Sequence, residues 1–494
     1  MEELLRIRRE LAGLRAAAAE ARWRAFRGLD FELAAAYRRH PAAVHDEAPR
    51  ILDEALRRSG DEAEREALVR LRGAVTLERV RAGAVRLEEG LLRQELVQVA
   101  EGPEGPLPLR AALRAVALEP QRARRSLLAD ACARAAEDEQ GRRSDRVALL
   151  QEACGREGAD LAALAGVDAA ALRDEARAAL ALTEDAYREL LPWALGRWVQ
   201  EGLQPLPRGE LADHDLAWLR TAAYAGALYP AGGLRLAATS VVEAMDFDAR
   251  RGNLRLDLER RPLARVGASV APLDVPARVA VSLSPLGTPA DWRELFGAIA
   301  RGLRLVSIAR AAPVEDRWAG DEAVGFAFSA LFGRIVHAPA FLRRLLHAPR
   351  AAAEEAARAL ALLDLLDLRE ACGRALAEAE IWARPPSRAV ARTFGELLAE
   401  ATHARFDERR FLEDADPALP AATTLRGLAI AGEIEPALRE RCDEDWWRNP
   451  RTGPLLQGAW ARGGAVRGDE AAKLLGGGAP SLAGYARALV AQLG

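Results

Sequence analysis

Lysine is nearly missing from this 494-residue chain: Lys473 is the single one among 70 basic residues. Arginine carries the rest, a bias that codon usage in a GC-rich bacterial genome explains as well as arginine chemistry does. The formal net charge is −3, so no global field draws the chain to nucleic acid or to an anionic membrane. Arg122, Arg124 and Arg125 form a basic cluster, but Glu119 and Asp130 stand close by, as on a solvated helix face. The four cysteines, Cys132, Cys154, Cys372 and Cys442, are scattered, and no two have the spacing of a redox pair or a zinc ribbon. They read as reduced, small apolar side chains. No apolar run approaches the ~20 residues of a membrane span, since Leu360 to Leu368 is interrupted by Asp364 and Asp367. The segment Met1-Glu2-Glu3-Leu4-Leu5-Arg6 lacks the basic head and apolar stretch of a secretory signal. A soluble, cytoplasmic protein is expected.

Histidine is scarce as well, and its placement excludes familiar chemistry. None of His40, His45, His214, His337, His347 and His403 precedes a glutamate or stands four residues from another. Two histidines at i and i+4 share a helix face and hold a zinc ion in H-E-x-x-H. That arrangement and its inverted form are both absent. The chain also lacks a G-x-S-x-G elbow, a P-loop, and a G-x-G-x-x-G after a strand.

What is present is helix-forming: Ala, Leu, Arg and Glu dominate, half the residues are hydrophobic and 29% are charged. This predicts a mainly α protein in two or three parts. Leu4, Ile7, Leu11, Leu14, Ala18 and Ala21 recur at three- and four-residue steps, a seam suited to a helical hairpin or to a homodimer. The Gly- and Pro-rich stretch Glu101 to Pro108 marks a boundary or long loop, and Gln204 to Gly209 a second. The expected regions are 1–105, 106–205 and 206–494. Period-two alternation at Leu254/Leu256/Leu258, Val266/Ala268/Val270 and Val279/Val281/Leu283 predicts a small antiparallel sheet within 253–283.

Three landmarks then carry a family resemblance. The first is Arg260-Arg261-Pro262 through Pro272, followed by Val279-Ala-Val-Ser-Leu283. The second is a helix pair, 291–307 and 321–336, containing Gly320-Asp-Glu-Ala-Val324 and Leu331-Phe332. The third is Leu425-Arg426-Gly427, then Asp443 to Pro450, Gly453 and Leu455-Leu456. From about Leu203 onward this resembles the thimet oligopeptidase and oligoendopeptidase F family of zinc peptidases. The resemblance implies a zincin-like fold, two helical lobes around a cleft. In that family the first helix of the pair carries H-E-x-x-H and the second a glutamate ligand. Here Gly297, Ala298 and Arg301 take the first three places, and the fourth falls on Phe326 or Phe328. Ala264, Pro420 and Thr424 depart from the family's pattern too.

Such residues cannot hold the ion, so no metal and no cofactor is expected. The implied protein is a catalytically inactive peptidase homologue whose cleft binds a peptide, a protein or a small acidic ligand. Arg301 and Arg304 would supply a cationic floor, with Phe326, Phe328, Asp321 and His337 as further ligand-binding candidates. The phenylalanine would plug the cavity or stack on a ligand. Two alternatives stand beside this reading: a metal-independent enzyme reusing the cleft in a biosynthetic or modification pathway, and an assembly protein acting through the amino-terminal seam.

Overall fold

The computed structural model describes residues 2–200, 211–230, 232–247 and 252–493. The expected boundary at Gln204 to Gly209 lies outside the described residues. Helices dominate, as the composition predicts, and most of their apolar faces gather into three large cores, with smaller clusters beside them.

The helix Glu2–Phe26 opens the first core. Its seam residues Ile7, Leu11, Leu14, Ala18 and Ala21 are all buried, packed with Leu52, Leu68, Leu71 and Val75 from the helices that follow. Intramolecular packing therefore occupies the face that the sequence offered to a second copy. Residues 99–108 are also more ordered than a boundary loop. β1 (Val99–Gly102) and β2 (Gly105–Pro108) pair antiparallel, with Gly102 opposite Gly105. Gly105 has φ +116°, which a side chain would resist, so its glycine closes the hairpin.

The three predicted strands form one sheet: β3 (Leu254–Asp257), β4 (Gly267–Asp274) and β5 (Arg278–Ser284). It is mixed rather than antiparallel. The order is β3-β5-β4, with β3 parallel to β5 and β4 antiparallel to it. After β3 the chain crosses to the far edge of the sheet before turning back, which alternation alone cannot reveal. Central β5 is covered on both faces. Val281 and Leu283 join the core of the helix Pro289–Ser307, while Ala280 packs with Trp23 of the first helix. Trp23 Nε1 donates to Ser282 Oγ at 2.7 Å on that second face.

The 289–307 helix begins with Pro289 at its first turn and Asp291 accepting from the backbone N–H groups of Leu286, Gly287 and Thr288. Its apolar stripe, Trp292, Leu295, Phe296, Ile299 and Leu303, lies in the second core. Gly302 permits the close approach to the sheet, since a Cβ there would meet Leu254 at 2.7 Å and Val281 at 2.9 Å. The helix Glu322–Ile335 packs alongside and is in turn covered by the helix Pro420–Cys442.

The 34-residue helix Arg350–Ala383 runs between the second and third cores. Leu360 and Leu363 face one, Leu362, Leu365 and Leu366 the other. Its first turns are exposed, and burial between the two cores sets in from about Ala359 onward. No described helix is long and apolar enough to cross a membrane.

Candidate functional site

The pair of helices singled out in the sequence does meet, and small residues let it close. A Cβ on Gly297 would come within 2.7 Å of Ser329 Oγ and 2.8 Å of the Ser329 carbonyl oxygen. One turn away, a Cβ on Gly333 would lie 3.3 Å from Arg293 Cγ. On the other side of the 322–335 helix, a Cβ on Gly427 would lie 2.7 Å from Phe326 Cβ. Arg426, beside that glycine, clamps the N-cap of the same helix. It donates to both carboxylate oxygens of Asp321, at 3.1 and 2.8 Å, while Asp321 accepts from Ala323 N at 3.0 Å. The Leu425-Arg426-Gly427 landmark thus has a structural job, holding the helix pair from behind.

Beside this contact lies a cavity of about 780 Å³. Ala290, Arg293 and Glu294 line it from the 289–307 helix, and Phe326, Ser329, Ala330 and Gly333 from the 322–335 helix. The 350–383 helix contributes Asp367, Glu370, Arg374 and Glu378. A second cavity of about 980 Å³ adjoins it and shares Arg220, Ala290, Glu294, Arg410 and Asp414. The two make one extended cleft.

The candidate residues divide sharply against this geometry. Arg301 and Phe326 do stand together, the guanidinium carbon 4.7 Å from the ring centroid, and Arg301 reaches Glu322 at 3.5 Å. Of the two, only Phe326 lines the cleft. It does not plug the cavity, which remains open beside it. Phe328, the alternative position, is buried at 1% exposure and packs edge-on against Trp460. Arg304 is buried beside Gly320 and Gly325 near Asp321 and Glu322, away from the cleft lining. Asp321 is the helix cap already described. His337 is buried with its Nδ1 3.3 Å from Asp364 Oδ1. Gly297 and Ala298 lie in the helix interface and the core. A cationic cleft floor made by Arg301 and Arg304 is therefore not what the fold builds.

The residues that do face the cleft were missed. On the 289–307 helix Arg293, Gly297 and Arg301 all turn toward the 322–335 helix, but the i and i+4 places beside the cleft are Arg293 and Gly297, one turn earlier than Gly297 and Arg301. Between them, Glu294 opens into the cleft. The signal was legible as Arg293-Glu294-x-x-Gly297, the one placement of the H-E-x-x-H spacing on this helix that retains its glutamate.

Charge in the cleft is mostly paired. Arg293 contacts Asp367 and lies 3.6 Å from Asp364. Arg220 reaches Asp367 at 3.1 Å and also holds Glu370. Arg374 joins Glu370 at 2.7 Å to Asp414 at 3.0 Å. Burial opposes ionisation of Asp364, yet His337, Arg334 and Arg293 hold its carboxyl well below the usual range. Two carboxyls behave oppositely. Burial pushes Glu378 up to about 7, although it accepts from Ala422 N at 3.0 Å and Ala421 N at 3.3 Å; nearby Asp416 and Asp414 add to the rise. Glu294 is raised by the enclosing walls and by Asp367, against Arg293 and a backbone N–H from Ala268.

A metal does not fit this set. Where the helices face one another stand Arg293, Gly297, Phe326 and Ser329. Among the described residues no three of His, Cys, Asp and Glu are grouped to hold an ion. Arg293 would bring a permanent positive charge to the same place.

No family model matches the sequence, and no curated protein does. Solved structures do match, over the whole chain. One is the M32 carboxypeptidase from Deinococcus radiodurans R1, at TM-score 0.55 and 13% identity with 99% of that chain covered. Another is Trypanosoma cruzi metallocarboxypeptidase 1, at TM-score 0.58, 13% identity and 99% coverage. Both of these are carboxypeptidases, so the resemblance to the oligopeptidase family is not confirmed by them, and at this identity the likeness is one of fold. This chain has the mainly α, zincin-like peptidase fold.

Proposed function

We propose that this chain is a peptidase-fold protein without metal-dependent hydrolysis, whose cleft binds a peptide. One observation carries the reading: the helix faces that meet at the cleft present Arg293, Gly297, Phe326 and Ser329, and no ligand triad. Zinc hydrolysis needs three protein ligands and an open water position, because the ion lowers the pKa of that water to ~7. Arg293, tied to Asp364 and Asp367, occupies the start of the motif with a fixed cation instead. An open cleft with aromatic and charged walls remains, of a size that accepts several residues of extended chain. The test is cleavage of a mixed peptide library by purified protein, with and without a chelator, together with binding of the same peptides. Chelator-sensitive cleavage overturns the proposal; saturable binding without it supports the proposal.

A second reading, a metal-independent enzyme, is favoured by Glu378, pushed up to about 7, since a carboxyl near neutrality suits general acid–base work, with Glu294 shifted in the same direction on the same cavity. Turnover of ester or amide substrates that survives the chelator and is lost in Glu378→Gln supports it.

A further inference from the structure

We propose that the cleft recognises a cationic nitrogen, a lysine or arginine side chain or a free amino terminus, through Glu294 and Glu378. This rests on the reading of the cleft as a peptide-binding site and names what it selects.

Pairing in the 780 Å³ cavity carries the argument. Each arginine lining it already has a carboxylate: Arg220 has Asp367 and Glu370, Arg293 has Asp367, Arg374 has Glu370 and Asp414, and Arg410 has Glu413 at 2.9 Å and Asp213 at 3.2 Å. An anionic ligand would have to break one of these pairs. Glu294 and Glu378 line the same cavity, and neither is in an ion pair among the described residues. Their only hydrogen-bond donors here are backbone N–H groups, from Ala268 for the first and from Ala421 and Ala422 for the second. Glu378 is 8% exposed, so its ionised form lacks both solvent and counter-charge. An incoming ammonium or guanidinium supplies that charge at no cost in existing pairs. Phe326, Trp382, Phe394 and Phe411 line the same space and suit the methylene stem of a basic side chain or the face of a guanidinium.

The burial of Glu378 explains why it is harder to ionise than usual, while Glu294 stands exposed in the cleft, open to an incoming group. A cationic ligand also replaces the expectation of an acidic one. Arg301, on which that expectation stood, stacks on Phe326 and belongs to a different surface.

The experiment uses the full-length protein and dye-labelled tetrapeptides of equal length, read by fluorescence anisotropy. With both ends blocked, the set contains a lysine, an arginine, a neutral and a glutamate member; a neutral peptide with a free amino terminus separates the two sources of cation. The lysine and arginine peptides are expected to bind about tenfold or more tighter than the glutamate peptide, about 1.4 kcal/mol. Glu294→Gln and Glu378→Gln are each expected to erase most of that preference and leave the neutral peptide within about twofold. Raising salt should narrow the preference in the wild-type protein without either substitution, an arm independent of how the variants fold. Equal binding of all peptides, or preference for glutamate, overturns the inference and leaves the peptide-binding reading standing. Binding of none of them overturns both.

Discussion

Glu378→Gln should stabilise this protein, and more so as pH rises. Ionising Glu378 in its buried place is opposed by burial and by Asp416 and Asp414, which lifts the carboxyl from its usual 4.5 to about 7. That difference corresponds to about 3 kcal/mol between the folded and unfolded chain. The sign follows from the direction of the shift. Below pH ~4.5 the side chain is protonated in both states and nothing is lost. Between there and about 7 the unfolded chain ionises while the folded one does not, so stability falls as pH rises. Above about 7 the full penalty is in place. Glutamine keeps the shape and one oxygen for the N–H groups of Ala421 and Ala422, and removes the ionisation. Thermal melts of wild-type and variant protein at pH 5 and pH 8 measure the effect. The melting temperatures should lie close together at pH 5 and separate at pH 8, with the variant higher, by about 1 °C per kcal/mol for a chain this long. An equal separation at both values, or a less stable variant at pH 8, would refute the assignment of this carboxyl as an uncompensated buried acid.

Other consequences follow from particular contacts. Gly297→Ala should cost about 1–3 kcal/mol through overlap with Ser329, whereas Gly325→Ala, whose nearest neighbour is 3.7 Å away, should be neutral or stabilising in the same melts. Asp321→Ala should cost about 2 kcal/mol by removing a helix cap and both hydrogen bonds from Arg426. Leu11→Ala should destabilise by about 2–5 kcal/mol and leave the mass seen by light scattering unchanged, because the seam is buried within one chain. Arg301→Ala should change stability by less than about 1 kcal/mol and peptide affinity not at all, the pair with Glu322 being partly exposed and outside the cleft.

Periodicity made a good part of this fold legible. The three alternating runs became β3, β4 and β5, and the helix pair expected at 291–307 and 321–336 is found at Pro289–Ser307 and Glu322–Ile335. The mixed strand order escaped because alternation reports which residues face inward, and says nothing of which edge the chain returns to. Residues 101–108 looked like a boundary because glycine and proline mark hairpins and linkers alike. In the cleft, the helix pair was read but its register was not: a one-turn slip keeps the same side of the helix and puts Gly297, Ala298 and Arg301 in the places of Arg293, Glu294 and Gly297. Glu378 was invisible for another reason. It sits on a helix buried on nearly all sides, where a carboxylate looks like any solvated charge until the N-terminus of the 420–442 helix is seen to meet it.

The most direct test of the account is zinc content. Protein purified, exposed to excess zinc and passed through a desalting column should retain far less than one equivalent per chain by elemental analysis. One tightly held zinc per chain, lost on replacing Glu294, would contradict it.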